Sequence, residues 1–408
     1  MTSSGGTYTT TIFPSQCRIQ HLTFGYARTG EAVCILKGDP LLHQETPLEE
    51  MLLEENVALA PLTTFKLGGP ARYFVEAKTT GEVQEAVAFA RSKNLPIFVL
   101  GGGSNLVVAD SGWPGLVLKI GLLGIEQLGI KQSGETSREH DGRILFDVGA
   151  GESWDRFVWH AIRANCAGVE CLSGIPGSVG GTPVQNVGAY GQEVAETIES
   201  VHVLDLKDGQ LRELCHEACG FSYRSSIFNT TERGRFIVLR VTYALTPGGE
   251  PRIAYADLKH HFEGRETSPN LAETREAVRH IRALKGMLIV PGDPDCQSAG
   301  SFFKNPVLTE EQHEELKKRA SARGLTVPSY PALETRKKVS AAWLVERSGF
   351  TKGFGSGHVG ISSKHALAIV NHGGATAAEV VALKDQIQHR VEEVFGVRLE
   401  PEPVMIGF

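Results

Sequence analysis

The sequence predicts an α+β protein with several domains, and three features of its 408 residues indicate this class. The composition is 41% hydrophobic and 22% charged, which is typical of a globular chain with room for roughly two or three domains. Between residues 71 and 164, strand-like apolar runs alternate with amphipathic segments of helical period. Further strand patterns fill the central portion, and helical patterns dominate beyond Pro247.

The first βα unit begins with a strand predicted over 71–75, and Thr79 and Glu82 after it have the spacing of a helix-capping box. The next strand leads into LPIFVLGGGSNLVVAD, residues 95–110, where three glycines, a serine and an asparagine separate two apolar runs. We expect this loop to join strand to strand. Two interpretations stay open: a plain glycine-rich hairpin, or a turn whose bare backbone N–H groups bind an anion.

The same order recurs in ILFDVGAGESWDRFVWHAIRAN, with a strand, a glycine turn at 149–151 and a helix that has one apolar face. Residues 171–194, CLSGIPGSVGGTPVQNVGAYGQEV, are rich in glycine but not polar, which favours a functional loop over a linker. Asp208 and Gly209 predict a hairpin turn, and RFIVLRVTYAL predicts a strand of the same sheet system. A last helix is predicted from the capping box at Thr376 to Gly396.

Charge and cysteine content exclude several classes of protein. A net charge of −6 gives no basic surface for nucleic acid, and no segment approaches the ~20 apolar residues of a membrane span. Seven cysteines without a CxxC pair indicate a reducing cytosol and no zinc site. The N-terminal residues lack the pattern of a signal peptide, so we expect a soluble, cytoplasmic protein without a metal. Residues 1–50 show no pattern able to form a core, and we expect a disordered arm or a translated leader there.

Eight short motifs, in this order, resemble the UDP-N-acetylenolpyruvoylglucosamine reductases of peptidoglycan synthesis, the MurB family. The likeness runs from about Met51 to the C-terminus, and the motifs are PLTTFKLGGPARYF, LGGGSNLVV, VGAGESW, SGIPGSVGG, QNVGAYG, YRSSIF, GSFFKNP and LEPEP. The resemblance implies an FAD-binding fold of the vanillyl-alcohol-oxidase type in two subdomains, 51–120 and 121–250. It also implies a C-terminal α+β substrate domain over 251–408.

The resemblance further implies FAD as the cofactor and NADPH as the hydride donor. The FAD is expected to be non-covalent, because no histidine or cysteine lies in a recognised flavin-attachment motif. The loop GGGSN is expected to wrap the FAD diphosphate, and SGIPGSVGG to lie along the flavin. The implied cofactor residues are Thr64, Gly101, Gly102, Gly103, Ser104, Asn105, Gly149, Ser173, Gly174, Ile175, Pro176, Gly177, Gly180 and Gly181.

In the family reaction, hydride passes from NADPH to the flavin and from flavin N5 to the methylene carbon of the enolpyruvyl ether, and the adjacent carbon takes a proton. By resemblance Ser301 is the proton donor, and Arg224 engages the substrate carboxylate and the developing enolate charge. Glu402 is the third catalytic residue and polarises the enolpyruvyl group. It is preferred to Glu400, which is expected on the opposite face of a strand.

A serine hydroxyl gives up a proton poorly, so Lys304 and Asn305, its neighbours in sequence, are expected to assist Ser301. Tyr255, Lys285 and Asn305 match residues that hold the diphosphate of the UDP-sugar substrate. The long segment with Tyr255 places the chain in the subgroup with a tyrosine-bearing lid loop, while residues 286–299 do not align. We interpret Lys364 and His365 as part of a strand-edge turn, and we expect a monomer.

Two other functions stay open. An oxidase that reoxidises its flavin with oxygen would share the FAD loops but would have no reason to carry the GSFFKNP and LEPEP motifs. A non-catalytic flavin-binding or nucleotide-sugar-binding regulator would have no need for Arg224, Ser301 and Glu402.

Overall fold

The structure is a computed structural model that describes residues 51–130, 142–332 and 335–408. The arm or leader predicted for residues 1–50 lies outside the described residues. In the described part, the helices are α1 Thr80–Ser92, α2 Trp154–Arg163, α3 Ala256–His261, α4 Leu271–Leu284, α5 Glu310–Ser321, α6 Ala341–Arg347 and α7 Ala377–Phe395. The strands of the N-terminal half are β1 Glu54–Ala58, β2 Pro70–Ala77, β3 Ile97–Leu100, β4 Leu106–Val108, β5 Trp113–Ile120, β6 Ile125–Ile130, β7 Ile144–Gly149, β8 Cys166–Ala167, β9 Gly188–Ala189 and β10 Gln192–Glu193. Those that follow are β11 Ile198–Asp205, β12 Leu211–Cys215, β13 Phe236–Pro247, β14 Val307–Leu308, β15 Ser329–Pro331, β16 Lys337–Val339, β17 Val359–Ile361, β18 Ile369–Asn371 and β19 Val404–Ile406.

The first sheet has the order β1-β2-β5-β3, with β5 parallel to both β2 and β3. Helix α1 covers it, and the predicted start of this helix is confirmed because Thr79 Oγ1 accepts a hydrogen bond from the Glu82 N–H at 3.2 Å. The apolar positions of α1 at helical spacing are buried, as the sequence predicts.

The glycine loop 101–105 connects two strands that do not pair with each other. Strand β3 pairs with β5, whereas β4 pairs in parallel with β19 at the C-terminus. The plain-hairpin interpretation is therefore wrong. The loop instead connects β3, in the first sheet, to β4, which pairs with the C-terminal strand β19.

The second sheet is antiparallel, with the order β12-β11-β13-β7-β6 and with β8 paired to β13. The predicted turn is confirmed, because Gly209 has a φ of 75° between β11 and β12. The apolar face predicted for α2 is also confirmed, with Trp154 and Phe157 at most 1% exposed in the core between helix and sheet. Residues 171–194, which lie between α2 and β11, contain only turns, three-residue 3-10 helices and two-residue strands.

Helices α3 and α4 pack against the glycine-rich segment 171–194. Leu258, Val278 and Ile281 form a buried cluster with Cys171 and Tyr190. The C-terminal core is built mainly from α5, α6 and α7, and α7 begins at the predicted capping box and ends at Gly396, whose φ is 69°. The predicted domain limits, 51–120, 121–250 and 251–408, stay a prediction.

No helix in the described ranges is long and apolar enough to cross a membrane. The same residues contain no group of three or more histidine, cysteine or acidic side chains that could hold a metal ion.

Candidate active site

A cleft of about 880 Å³ passes both glycine loops and reaches the C-terminal domain. This volume is in the range of cofactor and ligand sites. The structure brings most of the predicted site residues to its lining: Thr64, Gly101, Gly102, Gly103, Ser104, Asn105, Ile175, Pro176, Gly177, Gly180, Gly181, Arg224, Tyr255, Lys285, Ser301 and Glu402. Gly149, Ser173, Gly174 and Asn305 do not line it.

One wall of the cleft, here called the backbone wall, consists of loops 101–105 and 175–181. The two loops touch each other through main-chain atoms: a Cβ added to Gly102 would lie 2.5 Å from the Cα of Gly177. The Ser104 hydroxyl donates a hydrogen bond to the Pro176 carbonyl at 2.9 Å and fixes the contact. At Gly181, in contrast, an added Cβ would meet no protein atom within 4 Å. The wall therefore combines positions closed by protein with positions open to a ligand.

Three predicted cofactor residues support the backbone wall from behind. Ser173 is fully buried and its hydroxyl donates to the Glu170 carbonyl at 2.6 Å. A Cβ at Gly149 would lie 2.4 Å from the Leu122 carbonyl oxygen. Gly174, with a φ of 72°, donates its N–H to Asp155 at 2.6 Å. Their assignment as direct FAD contacts stays a prediction.

Asp155 anchors Gly174 to helix α4. Its carboxylate accepts hydrogen bonds from both terminal nitrogens of Arg275, at 2.6 and 2.7 Å, and from Arg279 at 3.0 Å. Burial alone would raise the pKa of Asp155, but the bonds from Arg275 and Gly174 hold that pKa below its ordinary value. The carboxylate is therefore ionised and clamps the loop against the helix.

A second part of the cleft lining, here called the side-chain wall, centres on the ion pair between Arg224 and Glu402. The Arg224 Nε is buried and lies 3.1 Å from the Glu402 Oε1, as an ion pair without the alignment of a hydrogen bond. The side chains are 21% and 13% exposed. Arg224 has a φ of 55°, in the left-handed region that bulky residues rarely adopt. Such local strain is typical of functional sites.

Glu402 lines the cleft and Glu400 does not, as predicted, but the predicted cause is not the one that the structure shows. Residues two apart on a strand share a face, so the expectation of opposite faces was wrong. The separation arises because residues 402 and 403 belong to no strand, so that no ladder fixes Glu402. Glu400 is 71% exposed and pairs with Lys304 at 2.6 Å, whereas Glu402 faces the cleft.

Ser301 lies next to Glu402 through the main chain. The Phe302 carbonyl, one residue further along, accepts the Glu402 N–H at 2.9 Å, and Phe303 forms a bridge with Pro401. Ser301, Arg224 and Glu402 thus line the same cleft.

Lys304 and Asn305 are not placed to assist Ser301. Lys304 pairs with Glu400, and the Asn305 Oδ1 accepts the Ala341 N–H at 2.9 Å. Neither residue lines the cleft, so the expectation that they assist the serine is wrong. Asn305 instead hydrogen-bonds Tyr223, whose pKa is raised by burial. Its role toward the diphosphate stays a prediction.

Tyr255 and Lys285 meet at a tyrosine that the sequence analysis missed, Tyr190. The Tyr190 and Tyr255 rings are 5.4 Å apart, edge to face, and the Lys285 ammonium lies 5.9 Å from the Tyr190 centroid while it pairs with Asp257. Tyr190 has a φ of 49°, and burial raises its pKa to about 12. The signal that could have identified it is an aromatic residue within the glycine-flanked motif GAYG, residues 188–191.

The turn predicted for SSKHAL is confirmed, because residues 362–368 connect the paired strands β17 and β18. His365 of this turn also lines the cleft, which the sequence did not indicate. Its Nδ1 accepts the Leu367 N–H at 3.1 Å, so the ring carries its proton on Nε2. Burial, with Lys285 and Lys352 nearby, lowers its pKa to about 4. Lys364, as expected, is structural, because it pairs with Asp293.

Segment 286–299, which did not align, lies between the cleft and the loop that carries His365. Asp295 accepts hydrogen bonds from the Ser363 hydroxyl and N–H at 2.7 and 2.9 Å, and Met287 and Leu288 line the cleft. The segment is therefore part of the site.

Comparison with known proteins gives two matches to family models. Residues 293–406 match the C-terminal domain of UDP-N-acetylenolpyruvoylglucosamine reductase, and residues 71–214 match an FAD binding domain. These matches confirm the predicted α+β arrangement of an FAD-binding part followed by a distinct C-terminal domain.

Several curated relatives bear the name UDP-N-acetylenolpyruvoylglucosamine reductase. The protein of Thermobifida fusca is 44% identical over 86% of this chain and 97% of its own length. That of Pseudomonas aeruginosa is 37% identical over 86% of this chain and 98% of its own length. Among solved structures, the reductase of Thermus caldophilus matches with a TM-score of 0.56 at 28% identity, covering 87% of this chain and 99% of that one.

Proposed function

This chain belongs to the family of UDP-N-acetylenolpyruvoylglucosamine reductases, and we propose that it reduces UDP-N-acetylglucosamine enolpyruvate to UDP-N-acetylmuramate with FAD and NADPH. It is an FAD-binding oxidoreductase of that family. The observation that carries the proposal is the common cleft, which Arg224, Ser301 and Glu402 line together with the two glycine-rich loops.

The residues present fit FAD. The glycines at 101–103 line the cleft without side chains, so that a diphosphate can approach their main chain, and an added Cβ at Gly181 would meet no protein atom within 4 Å. When bound, FAD supplies the hydride relay between NADPH and the enolpyruvyl group. We propose that it binds non-covalently through these loops.

Arg224 provides the positive charge of the substrate site. Because its Nε faces Glu402, the terminal nitrogens are left for the substrate carboxylate and for the enolate charge that develops beside it. Glu402 balances the arginine and fixes the direction of its guanidinium plane. The backbone strain at Arg224 is consistent with a residue held in position for binding.

Ser301 is the proposed proton donor to the carbon adjacent to the methylene. Its segment is held beside Glu402 by the bond between the Glu402 N–H and the Phe302 carbonyl. Lys304 pairs with Glu400 and Asn305 accepts the Ala341 N–H, so we propose that Arg224, Glu402 or groups of the substrate assist the serine instead.

Tyr255, Tyr190 and Lys285 are proposed to cover the diphosphate of the UDP-sugar, with Tyr255 45% exposed at the mouth of the cleft. The lid-loop subgroup, the cytoplasmic location, the monomeric state and the role in peptidoglycan precursor synthesis are part of the same proposal.

A flavin titration tests the proposal. The purified protein should be yellow, lose its absorbance near 450 nm on anaerobic addition of NADPH, and regain it when the enolpyruvyl UDP-sugar is added. Recovery with oxygen but not with the UDP-sugar would identify an oxidase. A protein that NADPH does not bleach would be a binding protein without this activity.

A further inference from the structure

The Asn105 amide, assigned by resemblance to FAD, is occupied within the protein. Its Nδ2 donates to the Gln185 Oε1 at 2.5 Å and to the Glu402 carbonyl at 3.2 Å. A primary amide has two hydrogens on nitrogen, and both are thereby used. Asn105 has no side-chain N–H left for a phosphate or a flavin oxygen.

The main chain of Asn105 also holds the segment that carries Glu402. Its carbonyl accepts the Val404 N–H at 2.9 Å, at the start of the parallel pairing between β4 and β19. Glu402 is therefore bracketed by bonds from Asn105 to its own carbonyl and to the N–H two residues later.

The other side of Glu402 is tied to the serine segment through its bond to the Phe302 carbonyl. Because residue 402 lies outside any helix or strand, these contacts replace the ladder that would otherwise fix its backbone. One chain of hydrogen bonds thus runs from the backbone wall through Glu402 to the segment of Ser301.

We propose that Asn105 is a positioning residue that holds Glu402 in register with the cofactor loop, rather than a ligand of the cofactor. The loop that binds FAD and the carboxylate that serves the substrate then move as one unit. The inference rests on the proposed function, because it assigns Glu402 to the step at the substrate carbon.

Asn105→Asp is the variant that tests this role. It exchanges the NH2 group for an oxygen of similar size and removes both donated bonds. The Gln185 amide can turn and donate to the new carboxylate, but the Glu402 carbonyl has no hydrogen to offer. The contact with Gln185 can thus be restored, whereas the hydrogen bond to the Glu402 carbonyl is lost.

FAD affinity is measured by fluorescence titration of the apoprotein in the uncharged variant Asn105→Ser, because the negative charge of an aspartate would by itself repel the FAD diphosphate. We expect this affinity, and the rate of flavin reduction by NADPH, to stay close to wild type. Reoxidation by the enolpyruvyl UDP-sugar should slow by about tenfold or more, because the lost hydrogen bond positions Glu402 and Glu402 acts only in this step. Glu400→Gln, an exposed change in the same segment, should leave both rates at the wild-type value.

A double-mutant cycle separates positioning from general structural damage. In a Glu402→Gln background, Asn105→Asp should cause no further slowing, because it acts through the carboxylate that is already absent. Independent, multiplicative slowing would overturn the proposal. Loss of FAD affinity in Asn105→Ser, in proportion to the loss of activity, would overturn it as well, by showing that Asn105 is a cofactor ligand.

Asn105→Ser removes both amide donors without adding a charge, and its rates are held to the same outcomes as those of Asn105→Asp, also where Asn105→Asp does not fold. A wild-type protein that the UDP-sugar does not reoxidise would refute the proposed function. Wild-type-like reoxidation of the Asn105 variant, in an active wild-type background, would refute only this inference.

Discussion

The two walls of the cleft are built in different ways. The backbone wall is made of glycine loops so closely packed that Gly102 and Gly177 have no room for a side chain between them. The side-chain wall is made of charged groups from distant parts of the chain, joined in the pair Arg224–Glu402 and supported by Asn105. The first wall is defined by the absence of side chains and the second by their chemistry.

This difference predicts how each wall responds to substitution. An added Cβ on the backbone wall changes packing or cofactor affinity, and does not alter the residues that act at the substrate carbon. A changed polar group on the side-chain wall acts on one step or on its pH dependence, and leaves the fold largely intact.

The largest effect is expected for Gly102→Val, which should abolish FAD binding. A Cβ there would lie 2.5 Å from the Gly177 Cα and 2.7 Å from its carbonyl carbon, so the two loops cannot keep their contact. The protein should purify colourless and with a lower melting temperature as the apoprotein.

Gly181→Ala is the matched control on the same wall. Its Cβ would meet no protein atom within 4 Å, so the apoprotein should melt as wild type does while FAD affinity falls. Stoichiometric FAD in Gly102→Val, or full FAD affinity in Gly181→Ala, would contradict the assignment of this wall to the cofactor.

Much of the backbone wall could be predicted from sequence, because glycine clusters and capping boxes are local signals. The strands around GGGSN, the apolar face of α2 and the start of α7 all follow from neighbouring residues. What could not be predicted is that β4 pairs with β19, since this pairing joins segments almost 300 residues apart. The same limit hid the direct contact between Gly102 and Gly177.

The side-chain wall was predicted through resemblance to a family, and its local details were not. Sequence proximity indicated that Lys304 and Asn305 serve Ser301, but Lys304 pairs with Glu400 and Asn305 binds the Ala341 N–H, partners that are distant in sequence. His365 was interpreted as a turn residue because nothing in its surrounding sequence shows that the loop 362–365 folds against segment 286–299.

His365 should make the stability of the folded protein depend on pH. Its pKa in the folded protein is about 4, against an ordinary value of 6.5, because the ring is buried near two lysines. The unfolded chain therefore binds a proton that the folded chain does not between these pH values, and stability is lost as the pH falls from about 6.5 toward 4. The loss amounts to about 3 kcal/mol of unfolding free energy.

Urea unfolding at pH 7 and pH 4.5 measures this effect. In His365→Asn the decrease in unfolding free energy between the two pH values should be smaller than in wild type by about 2–3 kcal/mol. His260→Asn, at a side chain 86% exposed, should retain the wild-type pH dependence. An unchanged pH dependence in His365→Asn would show that the ring is not kept neutral by the fold.

The smallest effect is expected when the chain is shortened to begin at Met51. Met51 and Leu53 already pack against the core, and both walls lie after them in the sequence. FAD content, turnover and melting temperature should all match the full chain. A lower value of any of the three would show that residues 1–50 contribute to the fold or the site.

The central claim is that the backbone wall binds FAD while the side-chain wall serves the step at the substrate carbon. Stopped-flow absorbance of Ser301→Ala tests this claim most directly. The substitution removes one hydroxyl from the side-chain wall and leaves the glycine loops untouched, so FAD content and reduction by NADPH should remain close to wild type. Reoxidation by the enolpyruvyl UDP-sugar should slow by the ~10²–10⁴-fold that a general acid supplies. If the reduced variant is reoxidised at the wild-type rate, or if both half-reactions slow equally, Ser301 is not the proton donor and the two walls do not divide the reaction in this way.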